Sequence, residues 1–264
     1  MPRATPDGPA ALTGGRKVDR VALLEKVAEL GSINAAAKAV GISYKGAWQA
    51  IEALNNLSER QLVERSVGGS GGGGTRLTPQ GEQVLSLLRD MEGEFQGLLA
   101  ALGGERSRLD RFFRYFQLMR RFNVKTSARN QYLGHVTSVA RGAVNSEVIL
   151  DIGGGDSLAA IITNESTDNL ALAVGTEAYA LVKAPWVIVT TDETLKTSAR
   201  NRLCGVVSRC TEGAVNGEVI IDLPGGKSVA AIVTNASIHG LGLAVGVRAC
   251  ALIKASHIIL AVNA

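Results

Sequence analysis

The chain is poor in cysteine and aromatic residues: it has three cysteines, and Phe, Trp and Tyr together make up 4% of its 264 residues. Cys204, Cys210 and Cys250 form no CxxC pair and have no histidine close by in sequence. This disfavours a zinc site and a disulfide scaffold, and the cysteines read as buried, inert thiols. No stretch approaches the roughly 20 apolar residues that span a bilayer. The start, MPRATPDGPAALTGG, lacks the apolar centre of a secretory signal, so the expected location is the reducing cytoplasm, without a membrane partner. No P-loop, no Ser/His/Asp order and no carboxylate pair is found, and His135, His239 and His257 are scattered, so no catalytic residues are assigned and an enzyme is not expected.

What is present is a globular composition, 46% hydrophobic and 20% charged, with 31 glycines. Several small cores of Val, Ile, Leu and Ala suit it better than one large aromatic core. The formal charge is +4, and residues 1–121 carry the whole excess, 17 Lys/Arg against 13 Asp/Glu, while residues 122–264 hold 11 of each. The asymmetry suits a polyanionic partner for the first half, although so small a surplus decides nothing alone.

Residues 125–189 align without a gap on residues 196–260, at a constant shift of 71, with 36 of 65 positions identical. Both copies open with KTSARN and share GAVNxEVI, AAIxTNxS, LAVG and ALxKA, so this is a duplicated domain. Runs such as EVILDI, SLAAIIT, AYALVKA and WVIVTT are short, β-branched and bounded by Gly, Asn and Asp. They predict about five strands per copy and almost no helix. A unit this small buries such strands most economically as a closed Greek-key barrel of the OB type.

The first half is helical. VDRVALLEKVAELG predicts a helix with Val21, Leu24, Val27 and Ala28 on its inner face, and SINAAAKAVG a second one started by Ser32. ISYKGAWQAIEALNNL predicts a third, with Ala47, Ile51 and Leu54 inward. Only Gly41, Ile42 and Ser43 separate helices two and three. Gly41 is suited to the left-handed conformation that ends a helix and Ser43 to capping the next, which is a helix-turn-helix. The glycine-rich Gly68–Gly74 between two β-prone segments reads as a hairpin wing. Thr78 and Pro79 then open a long helix with Val84, Leu87, Leu88, Met91 and Phe95, expected to pair two chains into a homodimer.

The fold class is thus α+β and multidomain: a winged helix-turn-helix with a dimerisation helix over 16–121, then two small OB-like barrels over 122–191 and 192–264. A helix entering the major groove reads bases through its first turns, which selects Ser43, Tyr44, Lys45 and Gln49 for contact with double-stranded DNA. Alone on a helix, Lys45 and Gln49 would read as merely solvated; the preceding turn and the following wing favour contact. Arg65 and Arg76 bracket the wing tip and are placed to meet phosphates, or else are solvated strand ends. Trp48 is assigned to packing.

In the repeats, the faithfully duplicated side chains are Lys, Arg, Ser, Thr and Asn rather than the carboxylates, Cys or His that cations need, so no free metal cation is expected. Hydroxyl and amide donors beside one Arg and one Lys suit an oxyanion, which offers acceptors alone. TSARNQ, AIITNES and LVKAPW resemble the molybdate-binding Mop domains of the ModE-type molybdate-responsive regulators. GISYKGAW and RSVGGSGGGGTRLTPQG resemble the winged-helix half of that family, and the resemblance covers residues 16–262. It implies that Ser127 and Arg129 of one subunit, with Thr163, Ser166, Lys183 and the backbone at Ala184 of the other, enclose molybdate, with tungstate as an alternative. The second copy offers Ser198, Arg200, Thr234, Ser237, Lys254 and Ala255, but Ser256 and His257 replace Pro185 and Trp186, and Arg202 replaces Gln131. The function implied is repression of molybdate uptake genes by the loaded protein; the alternative is molybdate storage without gene control.

Overall fold

A computed structural model describes residues 20–66, 74–100 and 126–263, with side chains of the long helix described to residue 90. Two compact units result: Asn55–Gln61 and Lys125–Ala264 form the second, and the other described residues before 125 form the first. Among the described residues no helix is long and apolar enough to cross a membrane.

The first unit contains α1 (Arg20–Leu30), α2 (Ile33–Ala39), α3 (Tyr44–Asn56) up to Leu54, the strands β1 (Val63–Ser66) and β2 (Gly74–Leu77), and α4 (Pro79–Ala100). Its helix starts are set by side chains. The Ser32 hydroxyl accepts from Ala35 N, that of Ser43 from Gly46 N at 3.0 Å, and that of Thr78 from Gly81 N at 3.0 Å. Each satisfies an amide that the helix itself leaves unpaired. Gly41, at φ +73°, supplies the left-handed turn between α2 and α3.

The inner face of α1 is Leu23, Leu24 and Val27. Val21 is half-buried and Ala28 exposed, so the expected stripe is rotated towards Leu23, whose larger side chain removes more apolar area from water than Ala28 would. On α3, Ala47, Ile51 and Leu54 are buried as the periodicity predicts. On α4, Val84, Leu85 and Leu88 are buried and Leu87 is half-buried; Met91 and Phe95 lie outside the described side chains. β1 and β2 pair antiparallel from Val63↔Leu77 to Ser66↔Gly74, which is the expected hairpin, with its tip, 67–73, outside the described residues.

The second unit has five strands per repeat, as expected. They are β3 (Asn130–Arg141), β4 (Asn145–Gly153), β5 (Asp156–Thr163), β6 (Glu177–Val182) and β7 (Ile188–Thr190), then β8 (Asn201–Glu212), β9 (Asn216–Asp222), β10 (Ser228–Thr234), β11 (Arg248–Ile253) and β12 (Ile259–Ala261). One-turn helices, α5 (Asn164–Asn169) and α6 (Asn235–Gly240), follow β5 and β10, and 3₁₀ turns at Ala184–Trp186 and Ala255–His257 follow β6 and β11. The sheets run β12-β6-β3-β4-β5 and β10-β9-β8-β11-β7, and the end strands of each sheet meet, curling it into a barrel.

Each repeat therefore gives its last strand to the other barrel: β12 pairs with β6 and β7 with β11. The two barrels share one apolar core, which runs from Tyr132, Leu150 and Leu158 of the first repeat to Leu203, Ile221 and Ile253 of the second. Neither covalent repeat closes a barrel by itself.

The strand register overturns the reading of the cysteines. Cys204 and Cys250 face each other across β8 and β11 and are joined by a disulfide, while Cys210 remains a free, half-buried thiol. In the first repeat the same cross-strand pair is Leu133↔Tyr179. A contact between residues 46 apart in sequence depends on the register, which thiol spacing does not reveal.

Candidate functional site

The oxyanion candidates sit where β3 and β6, and their copies β8 and β11, run out of register pairs. Asn130 pairs with Val182, so Arg129 and Lys183 are the next residues outward on neighbouring strands. By the same rule Arg200 and Lys254 follow the pair Asn201↔Ile253. The duplicated asparagines fix this end of the strands: Asn130 bonds both the N–H (2.7 Å) and the carbonyl (2.9 Å) of Ala230, and Asn201 does the same to Ala159, at 2.6 and 2.9 Å. Each TSARN segment is thereby tied to the opposite repeat.

The arginines confirm the exchange. Arg129 Nε lies 3.4 Å from Glu218 Oε1 on β9, and Arg200 Nε lies 3.4 Å from Glu147 Oε2 on β4. The turn Ala184–Trp186 packs on β10, and the turn Ala255–His257 packs on β5. Glu218 is opposite Ile232, two residues and about 7 Å along the strand from Thr234. Glu147 is opposite Ile161, two residues from Thr163. Within one chain Arg129 and the turn at Ala184 therefore lie on the β9–β10 side that leads to Thr234 and Ser237, and Arg200 and the turn at Ala255 on the β4–β5 side that leads to Thr163 and Ser166, with Ser127, Lys183, Ser198 and Lys254 close by in sequence.

The hydroxyl pairs are prepared to donate. Thr163 Oγ accepts from Ser166 N at 3.1 Å and lies 2.8 Å from Ser166 Oγ; Thr234 and Ser237 repeat both contacts. Two hydroxyls hold two hydrogens and the bond between them uses one, leaving one for an outside acceptor. Ser127, Lys183, Ser198 and Lys254 are exposed, whereas the amides beside Ala184 and Ala255 belong to buried residues.

The two groups differ in charge. Glu218, whose side chain is 11% exposed, is shared by Arg129 and Arg209. Position 209 is serine in the first repeat, Ser138, so among the described ion pairs Glu147 meets Arg200 alone. Arg129 is 22% exposed and Arg200 57%. Arg129 thus shares its carboxylate with a second guanidinium, in the less hydrated of the two places.

In the first unit, Ser43, Tyr44 and Lys45 are exposed at the start of α3 and Gln49 is half-exposed one turn on, the geometry of a helix that reads DNA through its first turns. Arg65 and Arg76 sit on β1 and β2, one register step apart. Arg76 Nε is paired with Glu64 Oε1 at 2.8 Å, and the Arg65 guanidinium lies over the Trp48 ring, 4.2 Å from its centroid.

Comparison with known proteins bears on both units. The model of the TOBE domain matches residues 126–189 and 197–260, and that of the bacterial regulatory helix-turn-helix protein, lysR family, matches residues 18–82. The molybdenum transport protein ModE of Azotobacter vinelandii is 45% identical over 251 residues, covering 92% of this chain and 91% of its own. The chain belongs to the ModE family. The DNA-binding transcriptional dual regulator ModE of Escherichia coli (strain K12) is 39% identical over 215 residues, 81% of each chain. Among solved structures, the cytoplasmic molybdate-binding protein ModG, with molybdate bound, is 48% identical with a TM-score of 0.52, and covers 53% of this chain and 100% of its own.

Two features of this ModE-family chain escaped the sequence reading. Glu218 lies in the shared GAVNxEVI run but was not set beside the oxyanion candidates, and Arg209 lies in no shared run; strand pairing across the repeats joins Arg129 to Glu218, which Arg209 also holds. Trp48, assigned to packing, is half-buried: the Tyr44 ring meets it edge-on at 6.1 Å and Arg65 covers a face. The i, i+4 spacing of Tyr44 and Trp48 was the available signal.

Proposed function

We propose that this ModE-family protein is a molybdate-responsive transcriptional regulator that works in the cytoplasm. It binds operator DNA as a homodimer through α3 and the β1–β2 wing, and represses molybdate uptake genes when loaded. Relatives named as molybdenum transport and DNA-binding regulatory proteins over most of this chain's length support that reading. Storage without gene control is disfavoured by the capped helix-turn-helix, which a storage protein would not need.

Each oxyanion is held between the two repeats of a chain, and the observation that carries this grouping is the exchanged pair of arginine contacts, Arg129 to Glu218 and Arg200 to Glu147. Arg129, Lys183, Ser127, the Thr234–Ser237 hydroxyls and the Ala184 amide supply donors to a dianion; the second set does so from Arg200, Lys254, Ser198, Thr163–Ser166 and Ala255. Tungstate, another tetrahedral dianion, is accepted by the same donors. For the ligand to repress, it must favour the DNA-competent arrangement, and a hundredfold preference corresponds to about 2.7 kcal/mol.

Calorimetric titration with molybdate, and with sulfate as control, tests the site. Molybdate binds tightly and sulfate weakly; Arg129→Ala weakens molybdate at least tenfold, and Arg200→Ala weakens it less, because that arginine is the more hydrated. Molybdate affinity untouched by Arg129→Ala removes the assignment.

A further inference from the structure

The turn that follows β6 carries an indole that its copy after β11 lacks. One reads Lys183, Ala184, Pro185, Trp186, and the other Lys254, Ala255, Ser256, His257. In the first, Trp186 N donates to the Lys183 carbonyl at 2.9 Å. Such a bond folds the chain so that its first and fourth residues stand within about 7 Å of each other, and Pro185 fixes one backbone angle between them. The Lys183 Nζ accordingly lies over the Trp186 ring, 5.4 Å from its centroid, inside the roughly 6 Å over which an aromatic quadrupole attracts a cation.

The ring itself is well seated. Ala184, two residues before it, is buried with Ile220 of β9 and Ala230 of β10, so the turn rests on strands of the other repeat. The His257 ring meets the indole at 5.4 Å. Lys183, by contrast, is exposed and has a flexible stem. A lysine held in place before its ligand arrives loses less rotamer freedom on binding it. Three residues after Lys254 stands an imidazole instead of an indole, the ring with the strongest attraction for a cation.

We propose that Trp186 is the positioning residue for Lys183: it holds the ammonium on the β10 side of the barrel, the side that leads to the Thr234–Ser237 hydroxyls. This inference rests on the oxyanion reading above. Trp186 acts through Lys183 and touches no ligand oxygen.

The test is calorimetric titration of the full-length protein with molybdate. Every protein carries Lys254→Ala, which takes that lysine's charge from the second group, and this variant is the reference. Added to it are Lys183→Ala, Trp186→Phe, Trp186→Leu and the pair Trp186→Leu/Lys183→Ala. Trp186→Leu is expected to weaken molybdate binding by about twofold to fivefold, the range of an exposed cation–π contact. Trp186→Phe, which keeps a π face, restores most of the loss. Once Lys183→Ala is present, Trp186→Leu costs nothing more, because the ring has no cation left to hold.

A ring that merely fills space would cost the same with or without the lysine. Equal losses in the two backgrounds overturn the proposal and leave the oxyanion site standing, as does reference affinity in Trp186→Leu while Lys183→Ala binds weakly. A reference protein that binds no molybdate, or a Lys183→Ala protein that binds it as tightly as the reference, overturns the place of Lys183 in the site and this inference with it. Should Trp186→Leu unfold below assay temperature, Trp186→Met, long and flexible without a π face, carries the same comparison.

Discussion

Arg129 and Arg200 occupy one position in two copies of one motif, yet their neighbours differ, and the difference comes from single substitutions elsewhere in the repeat. Arg209 in place of Ser138 puts a second cation on Glu218. Lys227 in place of Asp156 turns another repeated position into a complementary pair. Burial lowers Lys227 to about 8 from 10.5, opposed by the Asp156 carboxylate, and burial raises Asp156, opposed by Lys227. The Lys227 amine also donates to the carbonyl of Ser58 at 2.7 Å, in the segment Asn55–Gln61 that belongs to the second unit. Below about pH 8 the lysine is protonated both folded and unfolded, and the full cost of burying its charge is felt. Between about 8 and 10.5 the unfolded chain alone keeps the proton, so this group's contribution to stability improves as pH rises. Denaturant unfolding of wild type and Lys227→Met, compared across that window, should show the rise in wild type and a flatter profile in the variant. Equal slopes would show that the proton is not lost on folding.

The elements most legible in the sequence are those fixed by neighbours in the chain. Ser32, Ser43 and Thr78 cap their helices because a hydroxyl three residues before an unpaired amide reaches it in any context, and Gly41 turns where the reading put it. What was not legible depends on register between distant strands: the Cys204–Cys250 bond, the exchange of β7 and β12, and the arrival of Glu218 beside Arg129. The residue types suited to an oxyanion were readable, while the contacts that bring Arg129 to Glu218 and Arg200 to Glu147 were not.

Strand register also fixes a prediction at Gly205. A Cβ there would stand 2.0 Å from the Asp222 carbonyl oxygen on β9, and backbone cannot yield as a side-chain end does. Gly205→Ala should lower the stability of the barrel unit by roughly 1–3 kcal/mol, the usual cost of overpacking, read as a reduced denaturation midpoint. A wild-type midpoint would show that β8 can lift off β9. The exchange predicts a coupling pattern as well. In double-mutant cycles read by molybdate titration, Arg129→Ala should couple to Thr234→Val, of the same group, and act additively with Thr163→Val, which belongs to the other. The reverse pattern would support the arrangement in which Arg129 and Thr163 share a ligand across subunits.

Across the whole molecule, a helix-turn-helix unit and a pair of interlocked barrels are carried on one chain, and the barrels share a single core. Strands of both repeats therefore line that core, and neither barrel is built from one repeat. The sequence split of charge fits the division of labour: the excess of cations lies before residue 122, in the half assigned to DNA, and the balanced half carries its cations in local donor sets. Under the proposed function, the oxyanion held by the barrels changes how the helix-turn-helix unit engages DNA. The most direct measurement is the affinity of the full-length protein for a duplex it has selected, with and without saturating molybdate, and with sulfate as control. A tenfold or greater tightening by molybdate alone, lost in Arg129→Ala, is the predicted result, and an affinity that molybdate leaves unchanged would contradict the account.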